Sequence, residues 1–153
     1  MSAESSLGAL LAGLGVVLIF AVIILLSILI PTIIAEWKLF KKAGKKGWEA
    51  IIPFYNTWVL VEISGLNWWY FLISLGITLV SGNIQGIAST LLTIAGWYIN
   101  FNIYYNIAKK TKQNEILYGI LGTLIPFVAI LILGFNKNIT YNKETQVSPN
   151  GVF

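Results

Sequence analysis

Serine and lysine are the only nucleophile and base that this sequence could combine for covalent catalysis, because it contains no cysteine and no histidine. A serine–lysine dyad requires the two side chains to lie within hydrogen-bond reach of each other. No lysine falls inside a predicted helix, and serines in membrane helices usually pack or hydrogen-bond. We therefore expect a protein that is not an enzyme and that holds no metal and no cofactor. The serines in apolar surroundings are Ser27, Ser64, Ser74, Ser81 and Ser89.

Glu62 and three asparagines (Asn100, Asn102 and Asn106) are the candidates for polar chemistry inside a membrane. Glu62 is the one carboxylate within an apolar run, WVLVEISG, and ionisable residues in a membrane are costly and mark functional sites. The alternative is that its segment lies at the interface, where Glu62 meets water or pairs with a lysine. Asn102 and Asn106 share one helix face, whereas Asn100 points elsewhere. These amides either bond across helices or line a polar pathway.

The composition places these residues in a membrane protein. Hydrophobic residues make up 57% of the 153 positions and charged residues only 10%, whereas soluble domains average about 25% charged residues. The net charge is +4, and the positive charge is concentrated in two stretches. The length corresponds to one domain.

The apolar segments predict an all-α polytopic membrane protein with about four transmembrane helices and one short interfacial or re-entrant segment. The first apolar run has no charge and exceeds the roughly 20 residues that a spanning helix needs. The segment at 50–66 is too short to span and contains Pro53, while Pro126 predicts a kink in the last helix. The predicted elements are an N-terminal tail at 1–6, helices at 7–34, 67–80, 87–108 and 116–134, a basic collar at 35–49, the interfacial or re-entrant segment at 50–66, a basic loop at 109–115 and a polar tail at 135–153.

The lysines predict the orientation in the membrane. Loops rich in lysine remain in the cytoplasm, so we expect the collar and the 109–115 loop on the cytoplasmic side of a bacterial inner membrane, with both termini on the opposite side. Each such lysine also attracts anionic lipid head groups, by about 1 kcal/mol near the surface. A nucleic-acid patch is disfavoured because the collar directly follows a spanning helix. The lysines concerned are Lys38, Lys41, Lys42, Lys45, Lys46, Lys109, Lys110 and Lys112.

The stretch WKLFKKAGKKGWEAIIPFYN resembles the signature of a small integral membrane module of unknown function. That module also forms the N-terminal membrane part of Bacteroidetes type I signal peptidases, and the Trp-rich NWWYFL downstream fits its pattern. The peptidases use a serine and a lysine in a large soluble domain, which residues 135–153 are too short to form. The resemblance implies a membrane location, an envelope or secretion context and a possible docking surface. The motif residues that would form it are Trp37, Lys38, Phe40, Lys42, Gly44, Gly47, Trp48, Pro53, Tyr55 and Asn56.

These observations favour a non-enzymatic inner-membrane accessory, scaffold or assembly subunit of a larger envelope or secretion complex. The alternative is a small homo-oligomeric channel or transporter that uses Glu62 and the asparagine-bearing third helix. The expected partners are a bilayer with anionic lipids and either another membrane protein or further copies of the same chain, and no nucleic acid.

Overall fold

The structure, a computed structural model, describes residues 3–142, and all regular secondary structure in that part of the chain is helical. The all-α prediction is therefore confirmed for these residues. Most of the predicted polar tail, from residue 143 onward, lies outside the described residues. The elements are α1 (Ala3–Lys42), a short 3-10 turn (Gly47–Ala50), α2 (Tyr55–Ser64), α3 (Trp69–Ser81), α4 (Ile87–Lys110), α5 (Glu115–Leu124) and α6 (Pro126–Phe135).

Helix α1 continues through the first lysines of the collar instead of ending near Ile34. Its 40 residues correspond to a length of about 60 Å, and Pro31 lies inside the helix without ending it. Leu10–Lys42 is the one helical stretch in the described part that is long and apolar enough to cross a membrane. The expectation that no lysine falls inside a helix is wrong, because Lys38 and Lys42 lie on the last turns of α1.

Helices α3 and α4 form an antiparallel pair, and α2 packs beside them. Ile77 of α3 approaches Gly96 of α4, and the Trp58 and Phe71 rings of α2 and α3 meet edge to face at 5.3 Å. Helix α4 begins at Ile87, as predicted, and ends two residues beyond the predicted Ala108. This pair crosses the molecule once in each direction.

Helices α5 and α6 replace the single helix predicted for 116–134. The residue before a proline is excluded from the α region, and Ile125 accordingly has φ −141° and ψ 70° and ends α5. Pro126 then occupies the first position of α6, where its missing N–H costs nothing. Each helix has 10 residues, a length of about 15 Å, which is half of a hydrocarbon core of about 30 Å.

The two short helices run in opposite directions. Helix α5 folds back against α4, with Gly119 and Gly122 beneath the rings of Phe101 and Tyr104. Helix α6 then runs parallel to α1: Phe127 lies in a groove with Leu25 and Leu29, and Gly134 contacts Ala35. The far end of α6 reaches Lys42. This corrects the prediction for the last helix, since the start of α5 and the end of α6 lie at the same end of the molecule.

The lysine-bearing end also holds most of the buried core. Leu39, Phe40 and Ile63 are fully buried there, and Ile107 and Leu133 join them from α4 and α6. By contrast, no residue of α3 is buried, although the helix is apolar. The lysine-bearing end is therefore the best-packed part of the described chain.

Candidate functional site

Helix α1 ends within the basic collar, and a glycine makes this helix end possible. Gly44 has φ 82°, in the left-handed region that glycine adopts without steric cost. The Lys45 N–H donates to the Phe40 carbonyl at 2.8 Å and the Gly44 N–H to the Lys41 carbonyl at 3.1 Å. This pair of bonds is a Schellman motif, which satisfies the last carbonyls of α1. The predicted motif residue Gly44 therefore ends α1 and turns the chain back.

A second motif glycine allows the returning chain to lie against α1. Gly47 is buried beneath the Trp37 ring, and a Cβ at Gly47 would overlap that indole. Trp48 stacks on Tyr55 with ring centroids 6.3 Å apart and planes only 5° apart. Motif residues that were candidates for docking thus contact one another, and the Trp48 and Tyr55 side chains keep outer surfaces that are 45% and 41% exposed.

Three of the collar lysines contact groups on other helices. The Lys42 ammonium donates to the carbonyls of Leu133 and Asn136 at 2.8 and 2.7 Å, where α6 ends, and Lys45 forms an ion pair with Glu62. The Lys38 ammonium lies 4.0 Å from the centroid of the Phe135 ring, a cation–π distance. These contacts join the C-terminal ends of α1, α2 and α6.

Lys110 donates to a carbonyl at the end of α2, as Lys42 does at the end of α6. Its ammonium donates to the Ile63 carbonyl at 3.1 Å, and the Tyr141 hydroxyl donates to the same oxygen. Gly65, with φ 74°, leaves room for the lysine, because a Cβ there would overlap the ammonium. Burial of Lys110, which follows the apolar stretch of α4, lowers the pKa of its ammonium below the ordinary value, since burial disfavours the charged form.

The two lysine clusters therefore meet at one end of the molecule. Lys45 from the collar and Lys110 from the second cluster contact neighbouring residues, Glu62 and Ile63, at the end of α2. The lysines that are exposed at this end are Lys38, Lys41, Lys46, Lys109, Lys112 and Lys137. Their attraction for anionic head groups stays a prediction.

The intramembrane polar candidates do not come together as one pathway. Glu62 has a 46% exposed side chain paired with Lys45, at the lysine-bearing end. The amides of Asn100, Asn102 and Asn106 each donate to the carbonyl four residues earlier in α4, so these bonds remain within one helix. Of these four candidates, only Asn100 is among the residues that line the ≈ 280 Å³ cavity between α2, α3 and α4.

A larger groove lies between α1, residues 50–56 and α6, and it contains a carboxylate that the sequence analysis did not single out. Its volume is ≈ 440 Å³. Glu36 is only 6% exposed and accepts a long hydrogen bond of 3.4 Å from the Asn56 amide. The Thr57 hydroxyl in turn donates to the side-chain oxygen Oδ1 of Asn56 at 3.2 Å. The groove lining is otherwise apolar: Leu25, Ile28, Leu29, Ile33, Ala50, Ile51, Pro53 and Phe127, with Thr32 bonded to its own helix.

Sequence reasoning missed Glu36 because it stands directly before the lysine run and looked like part of a solvated charged collar. The available signal was its position on the same helical face as Thr32 and Ile33, one turn earlier. Asn56, its partner, was identified only as a motif residue. Glu49 was missed as well: it is 8% exposed, and its Oε2 has no hydrogen-bond partner within the described residues.

Comparison with known proteins gives one family match. The model of a family described as "Family of unknown function (DUF5684)" matches residues 48–144. The match begins at Trp48, near the end of the basic collar, and covers α2 to α6. No curated protein and no solved structure matches the chain.

Proposed function

The chain belongs to the DUF5684 family of unknown function, and from its geometry we propose that it is a non-enzymatic subunit of a larger complex in the bacterial inner membrane. Its first helix would recruit a partner, and its lysine-bearing end would lie in the cytoplasm. The distribution of charge supports the membrane placement. Residues 63–108 and 116–136 contain no charged side chain, yet many of their large apolar side chains are exposed. Such a surface suits lipid rather than water.

For the arrangement in the bilayer we propose three crossings and two re-entrant segments. Helix α1 crosses once, and α3 with its flanking residues crosses back before α4 returns. Residues 50–66 and the α5–α6 pair each enter from the lysine-bearing end and come back to it. The contacts of Lys45, Lys110 and Lys42 support this arrangement, because they bring the ends of α2, α4 and α6 together. Non-spanning backbone at membrane depth is tolerated where protein buries it.

The observation that carries the assembly role is the exposed outer part of α1. We call residues 10–24 the stem; its large apolar side chains, from Leu10 to Ile24, are all 52% to 65% exposed. The stem is about 22 Å long. Its glycines pack against no other helix of the described chain, since nothing lies within 4 Å of a Cβ at Gly13 or Gly15. Small residues in membrane helices permit close approach of a second helix. The resemblance to the membrane part of signal peptidases supports an envelope or secretion setting for that partner.

The experiment is photo-crosslinking in native membranes followed by purification in a mild detergent. A benzophenone side chain placed at Leu18 of the stem, which is 65% exposed, should capture one defined membrane protein in stoichiometric yield. The matched control is Leu79 of α3, which is 62% exposed and equally apolar. Capture only of lipid at Leu18, or the same products at both positions, would remove the assembly role.

A substitution tests the same role without a crosslinker. Gly15→Ile should release the co-purifying partner, because the added side chain holds the helices apart. Gly76→Ile in α3 is the control, since a Cβ at Gly76 also meets nothing within 4 Å. If the chain instead purifies as a defined homo-oligomer that Gly15→Ile dissociates and Gly76→Ile leaves intact, the partner at the stem is a second copy of this chain.

The second proposal, a channel or transporter using Glu62 and α4, receives little support from the geometry. Glu62 stands at the lysine-bearing end with Lys45, while Asn102 and Asn106 bond to their own helix. Ion or solute flux in proteoliposomes that is abolished by Glu62→Gln would restore that function.

A further inference from the structure

The groove around Glu36 combines a buried carboxylate with an apolar wall, and it has a direction. Glu36 and Asn56 form its polar part and lie toward the lysine-bearing end of α1. Leu25, Ile28 and Leu29 extend away from that end along the same helix. The distance from Leu25 to Glu36 along the helix axis is about 16 Å. This is the polarity of a membrane lipid, with its head at the lysine-bearing end and its tail pointing into the bilayer.

When it is ionised, Glu36 requires a head group that supplies positive charge. Burying a carboxylate without a cationic partner is costly. Across residues 3–142 the one ion pair is that between Lys45 and Glu62, so no described lysine neutralises Glu36. Asn56 supplies a single amide hydrogen to one carboxylate oxygen, which leaves acceptor capacity on the other oxygen. A group that brings both positive charge and N–H donors would meet this requirement.

We propose that the groove binds one ethanolamine-headed phospholipid, whose ammonium group donates to Glu36 and whose acyl chain lies along α1 against Pro53 and Phe127. The volume of ≈ 440 Å³ is that of a small-molecule site, so the groove holds the head group and part of one acyl chain while the rest of the lipid lies in the bilayer. Thr57 and Asn56 act as positioning residues, because their hydrogen bonds hold the carboxylate in the groove. This inference does not depend on a partner for the stem.

The test uses the full chain in mild detergent, exchanged with an equal mixture of phosphatidylethanolamine, phosphatidylcholine and phosphatidylglycerol that carry the same acyl chains. A wash at about 1 M salt screens the exposed lysines, since the Debye length falls to about 3 Å. The retained lipid is then quantified by mass spectrometry. We expect phosphatidylethanolamine to exceed phosphatidylglycerol about tenfold, and to exceed phosphatidylcholine, whose quaternary ammonium has no N–H to donate. Equal retention of the three lipids by the unmodified protein would overturn the proposal without any mutation.

Two variants locate the site, with a third as control. Glu36→Gln should lower the retention of phosphatidylethanolamine about tenfold or more, because it removes the charge of a buried pair. Leu29→Trp should lower retention of all three lipids by filling the apolar part of the groove while leaving Glu36 intact. Glu62→Gln changes an exposed carboxylate outside the groove and should leave the ranking unchanged. If Glu36→Gln elutes normally and keeps the preference for ethanolamine, the head group does not bind at Glu36.

Discussion

At the residue scale, the most informative side chains are two lysines that end helices other than their own. The last carbonyls of a helix lack intrahelical partners, and the C-terminal end of the helix dipole favours a cation. Lys42 of α1 brings a hydrogen-bond donor and a positive charge to the end of α6, and Lys110 of α4 does the same at the end of α2. Each lysine therefore links two helices that are distant in sequence, and part of the positive charge at this end serves the fold.

Lys42 and its neighbour Lys41 offer a matched comparison. Lys42→Met keeps the length of the side chain but removes two charge-assisted hydrogen bonds to Leu133 and Asn136. We expect a loss of about 2 kcal/mol in the free energy of unfolding, or about 4–8 °C in melting temperature. Lys41→Met removes an exposed cation and should change the melting temperature by less than about 1 °C. Tryptophan fluorescence during heating in detergent measures both, and equal melting temperatures for the two variants would contradict the helix-ending role of Lys42.

Lys110 predicts a pH dependence whose sign follows from its lowered pKa. The unfolded chain holds the lysine proton up to the ordinary pKa of 10.5, whereas the folded protein releases it earlier. Between the two pKa values the unfolded state binds more protons, so stability rises with pH in that interval. The difference in melting temperature between the unmodified protein and Lys110→Met should therefore grow in favour of the unmodified protein as pH approaches 10.5. A difference that stays constant from neutral to alkaline pH would show that Lys110 is not desolvated by the fold.

At the element scale, the crossing of α1 and α6 rests on the absence of one side chain. A Cβ at Gly134 would overlap the backbone carbonyl of Ala35, and a backbone atom cannot rotate away. Gly134→Ala should therefore separate the two helices and cost about 1–3 kcal/mol. Gly76→Ala, on a helix where a Cβ meets nothing within 4 Å, should be neutral or slightly stabilising because alanine favours helix. Thermal unfolding compares the two, and an equally stable Gly134→Ala protein would show that α1 and α6 do not cross this closely.

The elements also show which parts of the fold were accessible from sequence. The α3–α4 pair was predictable because SGNIQG separates two apolar runs. The two lysine clusters, which precede and follow this pair in the chain, also indicated that the pair begins and ends on the same side. Residues 50–66 were predicted as interfacial or re-entrant from their length and Pro53, and this stretch contains α2. The folding back of α5 and α6 was not predictable, since hydropathy is uniform across 116–134. The contacts that hold it, such as Gly134 with Ala35, join residues about a hundred positions apart.

At the scale of the whole molecule, the charged side chains of residues 5–142 are confined to one end, whereas Glu4 lies at the start of α1. The charged stretches are 36–62, 109–115 and Lys137, and contacts from Lys45, Lys110 and Lys42 connect the helix ends beside them. The orientation that we propose, with the lysines in the cytoplasm, follows from this distribution, because lysine-rich segments remain on the cytoplasmic side of a bilayer. In that orientation the groove opens its polar part toward the cytoplasmic head groups.

The same arrangement predicts the side of the membrane on which the segment after α6 lies. A spanning helix at 116–134 would place Lys137 outside, whereas the re-entrant α5–α6 pair places it with the lysine clusters. The hydrogen bonds from Lys42 to Asn136 and from Asn142 to Lys110 hold the segment around Lys137 beside those clusters. The chain has no cysteine, so Lys45→Cys, Asn83→Cys, Lys112→Cys and Lys137→Cys each introduce one thiol. In intact cells, a membrane-impermeant maleimide should label position 83 and leave 45, 112 and 137 unlabelled until the membrane is opened. Labelling of 137 together with 83, while 45 and 112 remain protected, would show that α5 and α6 cross the bilayer as one unit. Protection of 83 with labelling of 45, 112 and 137 would invert the orientation but keep the re-entrant pair.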